Sequence, residues 1–141
     1  MDCLFCKIVA GDVPAQLVYE DATTVAFLDN RPLFAGHTLV VPRTHYETLP
    51  DLPPERVTPL FLAARRLARA MEDGLGAAGS FVALNNRISQ SVPHLHVHVI
   101  PRNRGDGLRL WLGPRRKYGS ESDAAAHAER IKRAYADWAH Q

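Results

Sequence analysis

The chain has 141 residues, with 17 Lys and Arg against 15 Asp and Glu for a formal net charge of +2. That length suits one domain, 46% hydrophobic and 23% charged residues exclude wholesale disorder, and so small a basic excess is no argument for nucleic-acid binding. No run of about 18 apolar residues is present, so no membrane span is expected, and Met1-Asp2-Cys3-Leu4-Phe5-Cys6-Lys7 lacks the charge order of a secretory signal, so a cytoplasmic location is expected.

Residues 3–10 are expected to form a short helix ended by Gly11-Asp12-Val13-Pro14. It carries Cys3 and Cys6 at Cys-x-x-Cys spacing, which leaves three readings open: a metal site, inert buried thiols or a redox pair. Gln16 to Glu20 and Thr24 to Asp29 are short β-rich runs joined by Asp21-Ala22-Thr23, a hairpin signature. Asn30-Arg31-Pro32 breaks the second run, and 37–42 reads as a third strand stopped by Pro42.

A helix follows between Pro53 and Gly74. Val57, Leu60, Phe61, Ala64, Leu67, Ala68 and Met71 recur on one face. The cleaner start is Thr58 as N-cap with Pro59 at the first position, because a start at Pro54 makes Pro59 remove an internal hydrogen bond. Ser80 to Asn85 and Val92 to Ile100 read as two more strands, 102–118 as an irregular basic segment, and Ser120 or Ser122 caps a last helix. That helix has an apolar stripe of Ala124, Ala128, Ile131, Tyr135 and Trp138, and its His127 and His140 carry no evident chemistry. Five short strands without a repeating βαβ unit predict an α+β fold with an antiparallel five-stranded sheet, one long central helix and two flanking helices. A single domain is expected over 1–141, with its core at 3–101 and the basic loop and C-terminal helix at 102–141.

Seven histidines are present, and their placement is the most informative feature. In Pro93-His94-Leu95-His96-Val97-His98-Val99-Ile100-Pro101 strict alternation gives one face to His94, His96 and His98 and the other to Leu95, Val97 and Val99. Imidazoles about 7 Å apart along a strand are poorly placed to chelate one ion together, so a separate task for each ring is expected.

His94-x-His96-x-His98 followed by hydrophobic residues resembles the signature of the histidine triad (HIT) family of nucleotide hydrolases and transferases. The resemblance extends over nearly the whole chain. It takes in Leu4-Phe5-Cys6-Lys7-Ile8, the hairpin from Glu20-Asp21 to Asp29, the 36–45 segment, Asn85-Asn86 and Gln90-Ser91-Val92. It implies an antiparallel five-stranded sheet, a homodimer and a purine nucleotide as substrate, with neither nucleic acid nor membrane as partner.

The resemblance also implies roles. His96 matches the nucleophile that forms a covalent nucleotidyl-imidazole at the α-phosphate, a task suited to a neutral imidazole near pH 7. His98 matches the residue that hydrogen-bonds the phosphate, and His37 a supporting histidine. Gln90, Ser91 and Asn85 match polar positions near the phosphate. Phe5, Ile8 and Phe27 match the apolar positions around the base, and Asp29 the carboxylate on the ribose. Cys3, Cys6, His45 and His94 match the ligands of a structural zinc in the bacterial zinc-containing type, while the chemistry itself needs no catalytic metal. The four residues Asn86-Arg87-Ile88-Ser89 depart from a longer glycine-rich stretch found in many relatives.

Three other readings accompany the hydrolase. Phosphate could replace water as acceptor, giving a dinucleoside polyphosphate phosphorylase. The chain could instead be a purine-nucleotide-binding regulatory module, or a zinc-dependent interaction domain. An intact His96 favours catalysis, because a binding module needs no nucleophile. The arginines at 102, 104, 109, 115 and 116 with Lys117 point equally to a polyphosphate substrate or to a solvated loop.

Overall fold

The computed structural model describes residues 2–109 and 114–138. In chain order its elements are α1 (Leu4–Ala10), β1 (Leu17–Glu20), β2 (Thr24–Leu28), β3 (Thr38–Pro42), a 3-10 turn (Leu49–Asp51), α2 (Pro54–Leu75), β4 (Gly79–Ala83), β5 (Val97–Arg102) and α3 (Glu121–Trp138). They fall into two compact units, Met1–Asp106 and Gly107–Gln141.

The first unit is an antiparallel five-stranded sheet in the order β1-β2-β3-β5-β4. Alternation along the strands sorts the apolar residues onto two faces. Ala26, Val40, Val97 and Val99 point to one face and pack with Leu60, Ala63, Ala64, Leu67 and Met71 of α2. Val25, Phe27, Leu39 and Val41 point to the other and pack with Phe5 of α1. One face is therefore closed by the long helix α2, whereas within the first unit seven-residue α1 packs on the opposite face. That partial cover leaves room for a cleft beside the histidines.

Asp21 builds the β1–β2 turn as its position suggests: its carboxylate accepts from the backbone N–H of Thr23 and of Thr24, each at 2.8 Å. Gly11 ends α1 at φ 84°, a left-handed cap that glycine adopts without a Cβ penalty.

β4 ends at Ala83, which leaves Asn85 beyond the strand, and three further differences from expectation have a physical cause. First, α2 begins at Pro54, with Pro53 as its N-cap, and runs through Pro59. Pro59 is the sixth residue of the helix, so the one bond it forfeits would have ended on the carbonyl of exposed Glu55, which water can reach. Second, β5 begins at Val97, so His94 and His96 precede the strand. Their segment is not laddered: Pro93 has no N–H, the N–H of His94 turns back to Val92 O at 2.8 Å, and that of Leu95 donates to Tyr46 O at 2.7 Å. Third, β5 continues through Pro101. The β3 pairing has already ended at Thr38–Val99, so the missing N–H costs no bond on that side.

In the second unit Ser120 is the cap of α3, its hydroxyl accepting from Asp123 N at 3.1 Å. The stripe over 124–138 is present as spaced, yet α3 buries none of its residues. His140 lies outside the described residues.

Candidate active site and metal cluster

The second sheet face carries two adjacent constellations. A cleft of about 790 Å³ opens between α1, the 13–16 segment, β2 and the residues leading into β5, within the size range of small-molecule sites. Phe5, Ile8, Phe27, Asp29, Ser91, His96 and His98 line it. His37 lies directly behind His98.

His96 is buried, and its Nδ1 lies 2.7 Å from the carbonyl oxygen of His94. A carbonyl can only accept, so Nδ1 carries the proton and Nε2 keeps a lone pair. Burial pushes this imidazole below its ordinary range and holds it neutral at pH 7. The ring stands edge-on to Phe5, with centroids 5.0 Å apart.

A second chain of hydrogen bonds fixes the proton on His98. The N–H of Leu33 donates to His37 Nδ1 at 3.1 Å, which leaves the His37 proton on Nε2. That N–H donates to His98 Nδ1 at 2.9 Å, so His98 carries its own proton on Nε2. Burial, with His96 and His37 alongside, pushes His98 down to about 4. His98 is therefore a neutral donor beside a neutral nucleophile. Burial likewise lowers His37, against the Asp29 carboxylate, whose Oδ2 is 3.6 Å from Nε2. Asp29, His37 and His98 are close enough to suggest a metal site. The Leu33 bond argues against one, because it places a proton on the His37 nitrogen that would have to ligate.

Cys3, Cys6, His45 and His94 form the other constellation, with ligand atoms all within 4.8 Å of one another. His94 Nε2 donates to Pro42 O at 2.9 Å, which turns the Nδ1 lone pair toward both thiols, 3.5 Å from each sulfur. His45 Nδ1 is 3.4 Å from Cys6 Sγ. Burial and the neighbouring Cys3 raise the Cys6 thiol above its ordinary range. Two sulfurs and two correctly oriented nitrogens, with burial opposing the charge of the thiolates, fit a tetrahedral zinc with no open position.

Of the residues singled out from the sequence, Asn85 and Gln90 do not line the cleft. Asn85 Nδ2 donates to Ser89 O at 3.2 Å. The Gln90 side chain accepts from Arg87 N at 2.8 Å and donates to Glu47 O at 2.6 Å, so it braces its loop. In that loop Arg87 (φ 70°) and Ser89 (φ 59°) adopt the left-handed conformation that glycine favours. Leu39 and the 13–16 segment also line the cleft and were not singled out. Leu39 was within reach, since it alternates with buried Val40 and pairs with Phe27; the 13–16 turn carries no periodicity. Arg102, counted with the basic segment, is bonded to Asp106 at 2.6 and 2.9 Å.

Comparison with known proteins agrees with this geometry. The HIT domain family model matches residues 10–105. "Protein hit" of Bacillus subtilis is 44% identical over 110 residues, 76% of each chain. An adenosine 5'-monophosphoramidase of Saccharomyces cerevisiae is 36% identical over 110 residues, 75% of this chain and 66% of the yeast protein. A zinc-bound histidine triad family protein from Mycobacterium smegmatis superposes with a TM-score of 0.74 at 42% identity, covering 94% of this chain and 97% of the other.

Proposed function

The chain belongs to the HIT domain family, and on that premise we propose that it is a nucleotide hydrolase or transferase. Its reaction cleaves adenosine (purine) nucleotides, such as phosphoramidates or dinucleoside polyphosphates, at the α-phosphate. The yeast relative's named activity supports this substrate class. The observation that carries the reading is the 2.7 Å bond from His96 Nδ1 to His94 O, which aims an unprotonated nitrogen from a buried neutral ring toward the cleft.

In the proposed mechanism Phe5, Ile8 and Phe27 hold the base and Asp29 accepts from ribose hydroxyls. The His96 Nε2 lone pair forms a bond to the α-phosphorus, and the bond to the leaving group breaks with its electron pair. The positive charge that develops on His96 is shared through Nδ1–H with His94 O. His98 Nε2–H donates to a phosphoryl oxygen, and Ser91 supplies a further donor. Water then attacks phosphorus, the P–N bond returns its electrons to Nε2, and the nucleoside monophosphate leaves. Cys3, Cys6, His45 and His94 would hold a structural zinc, which supplies cross-linking of α1 to the His94 segment and takes no part in these steps.

A His96→Asn variant tests the assignment. It is expected to bind AMP with near-normal affinity while turnover of an adenosine phosphoramidate falls by several orders of magnitude. Unchanged turnover would refute the role of His96.

A further inference from the structure

The metal cluster and the nucleotide cleft meet at one side chain. Phe5 lies in sequence between Cys3 and Cys6, and it is 5% exposed. Its ring is edge-on to three others: His94 at 5.9 Å, His96 at 5.0 Å and Phe27 at 5.4 Å between centroids. One contact is thus a cluster nitrogen donor, one the nucleophile and one a wall of the cleft. His94 forms a second bridge, since its ring faces the thiols while its carbonyl holds the His96 proton.

We propose that Phe5 is a positioning residue for His96, and that through it the Cys3/Cys6/His45/His94 cluster and the nucleotide cleft are energetically coupled. A cation gathering the four ligands fixes the first turn of α1. Its rigidity holds the Phe5 edge against His96 and the Leu4, Phe5 and Ile8 side chains against the cleft. Metal occupancy then sets nucleotide affinity. By linkage, a bound nucleoside monophosphate must tighten the metal by the same factor. Packed rings of this kind shift as a set, because close-packed interiors transmit strain. Phe5 itself touches no reacting atom, and its effect on chemistry passes through the His96 ring.

This inference rests on the zinc and nucleotide assignments above, and its test separates them. Cobalt(II) replaces zinc as a visible probe in the full chain, and the cobalt-loaded protein is titrated with AMP. Metal affinity is measured by chelator competition with and without saturating AMP. The expected result is a shift of the cobalt absorption bands on AMP binding, with metal affinity raised about tenfold. In Phe5→Leu, which keeps an apolar wall but removes the ring, cobalt should still bind and AMP should bind more weakly, so the AMP concentration is raised until the variant is saturated. Their mutual effect should fall below about twofold and the band shift should vanish.

Stoichiometric cobalt and AMP binding with no mutual effect in the unmodified chain would overturn the coupling alone. Full coupling retained in Phe5→Leu would overturn the role of Phe5. Failure of cobalt to bind, or of AMP to bind, would overturn the inference together with the corresponding site assignment.

Discussion

Gly36 precedes His37 at φ +99°, and a Cβ built on it would lie 2.4 Å from Leu75 Cδ1. Gly36→Ala therefore imposes two costs. An L-residue in a left-handed backbone costs about 1–2 kcal/mol, and turning Leu75 off its rotamer adds about 0.5–1.5 kcal/mol. Leu75 is 57% exposed and ends a helix, so its methyl can yield toward water and the second cost stays within that range. Together they come to about 1.5–3.5 kcal/mol, which lowers Tm by on the order of 10 °C or more for a unit near this size.

Urea denaturation of Gly36→Ala, Leu75→Ala and the double variant separates the two costs. Leu75→Ala should recover only the steric part, leaving about 1–2 kcal/mol from the backbone. The consequence should reach the site as well. Gly36 O accepts from Thr38 Oγ1 at 2.8 Å, and the turn from Leu33 sets the His37 ring. Turnover should therefore fall along with stability. Gly36→Ala as stable as the unmodified chain, or full rescue by Leu75→Ala, would refute the reasoning.

Three further outcomes follow from the same geometry. His37→Ala removes the donor that fixes the His98 proton; kcat should fall about tenfold or more while AMP affinity stays within about twofold, and an unchanged kcat would show that His98 needs no such partner. His98 has a folded-state pKa of about 4, below its unfolded value near 6.5. Between those values the unfolded chain binds the proton that the folded chain refuses, so this contribution to stability is full above pH 6.5 and declines toward pH 4. His98→Asn should flatten that part of the stability–pH curve in urea melts, against a background that still includes His96 and His37; an unaltered slope would contradict the assignment. Cys3→Ser should lower zinc content well below one per chain and lower Tm, as elemental analysis and thermal melts would show; full zinc retention would remove Cys3 from the ligand set.

Much of the site was legible because its signal is local. Alternation of His94, His96 and His98 with Leu95, Val97 and Val99 fixes their opposite faces even though the strand starts only at Val97. The proximity of Cys3 and Cys6 to His45 and His94 could be reached through family resemblance alone, since those contacts span 39 to 91 residues. The His98 tautomer was not legible at all, because it depends on the backbone N–H of Leu33, which every sequence has. Nor could the sequence distinguish a Gln90 facing phosphate from one that braces its loop against Glu47 O. The start of α2 was misplaced because an exposed carbonyl at Glu55 makes Pro59 cheap, and that depends on solvent access rather than on residue type.

The central claim is that His96 attacks the α-phosphorus, and a rapid alkaline denaturing quench, which preserves a phosphorus–imidazole bond, followed by peptide mass spectrometry tests it most directly. During turnover of an adenosine phosphoramidate, a fraction of the chain should carry one adenylyl group on the peptide containing His96. The adduct should disappear as substrate is exhausted and be absent in His96→Asn. Steady turnover with no adduct, or an adduct on a different residue, would contradict the account.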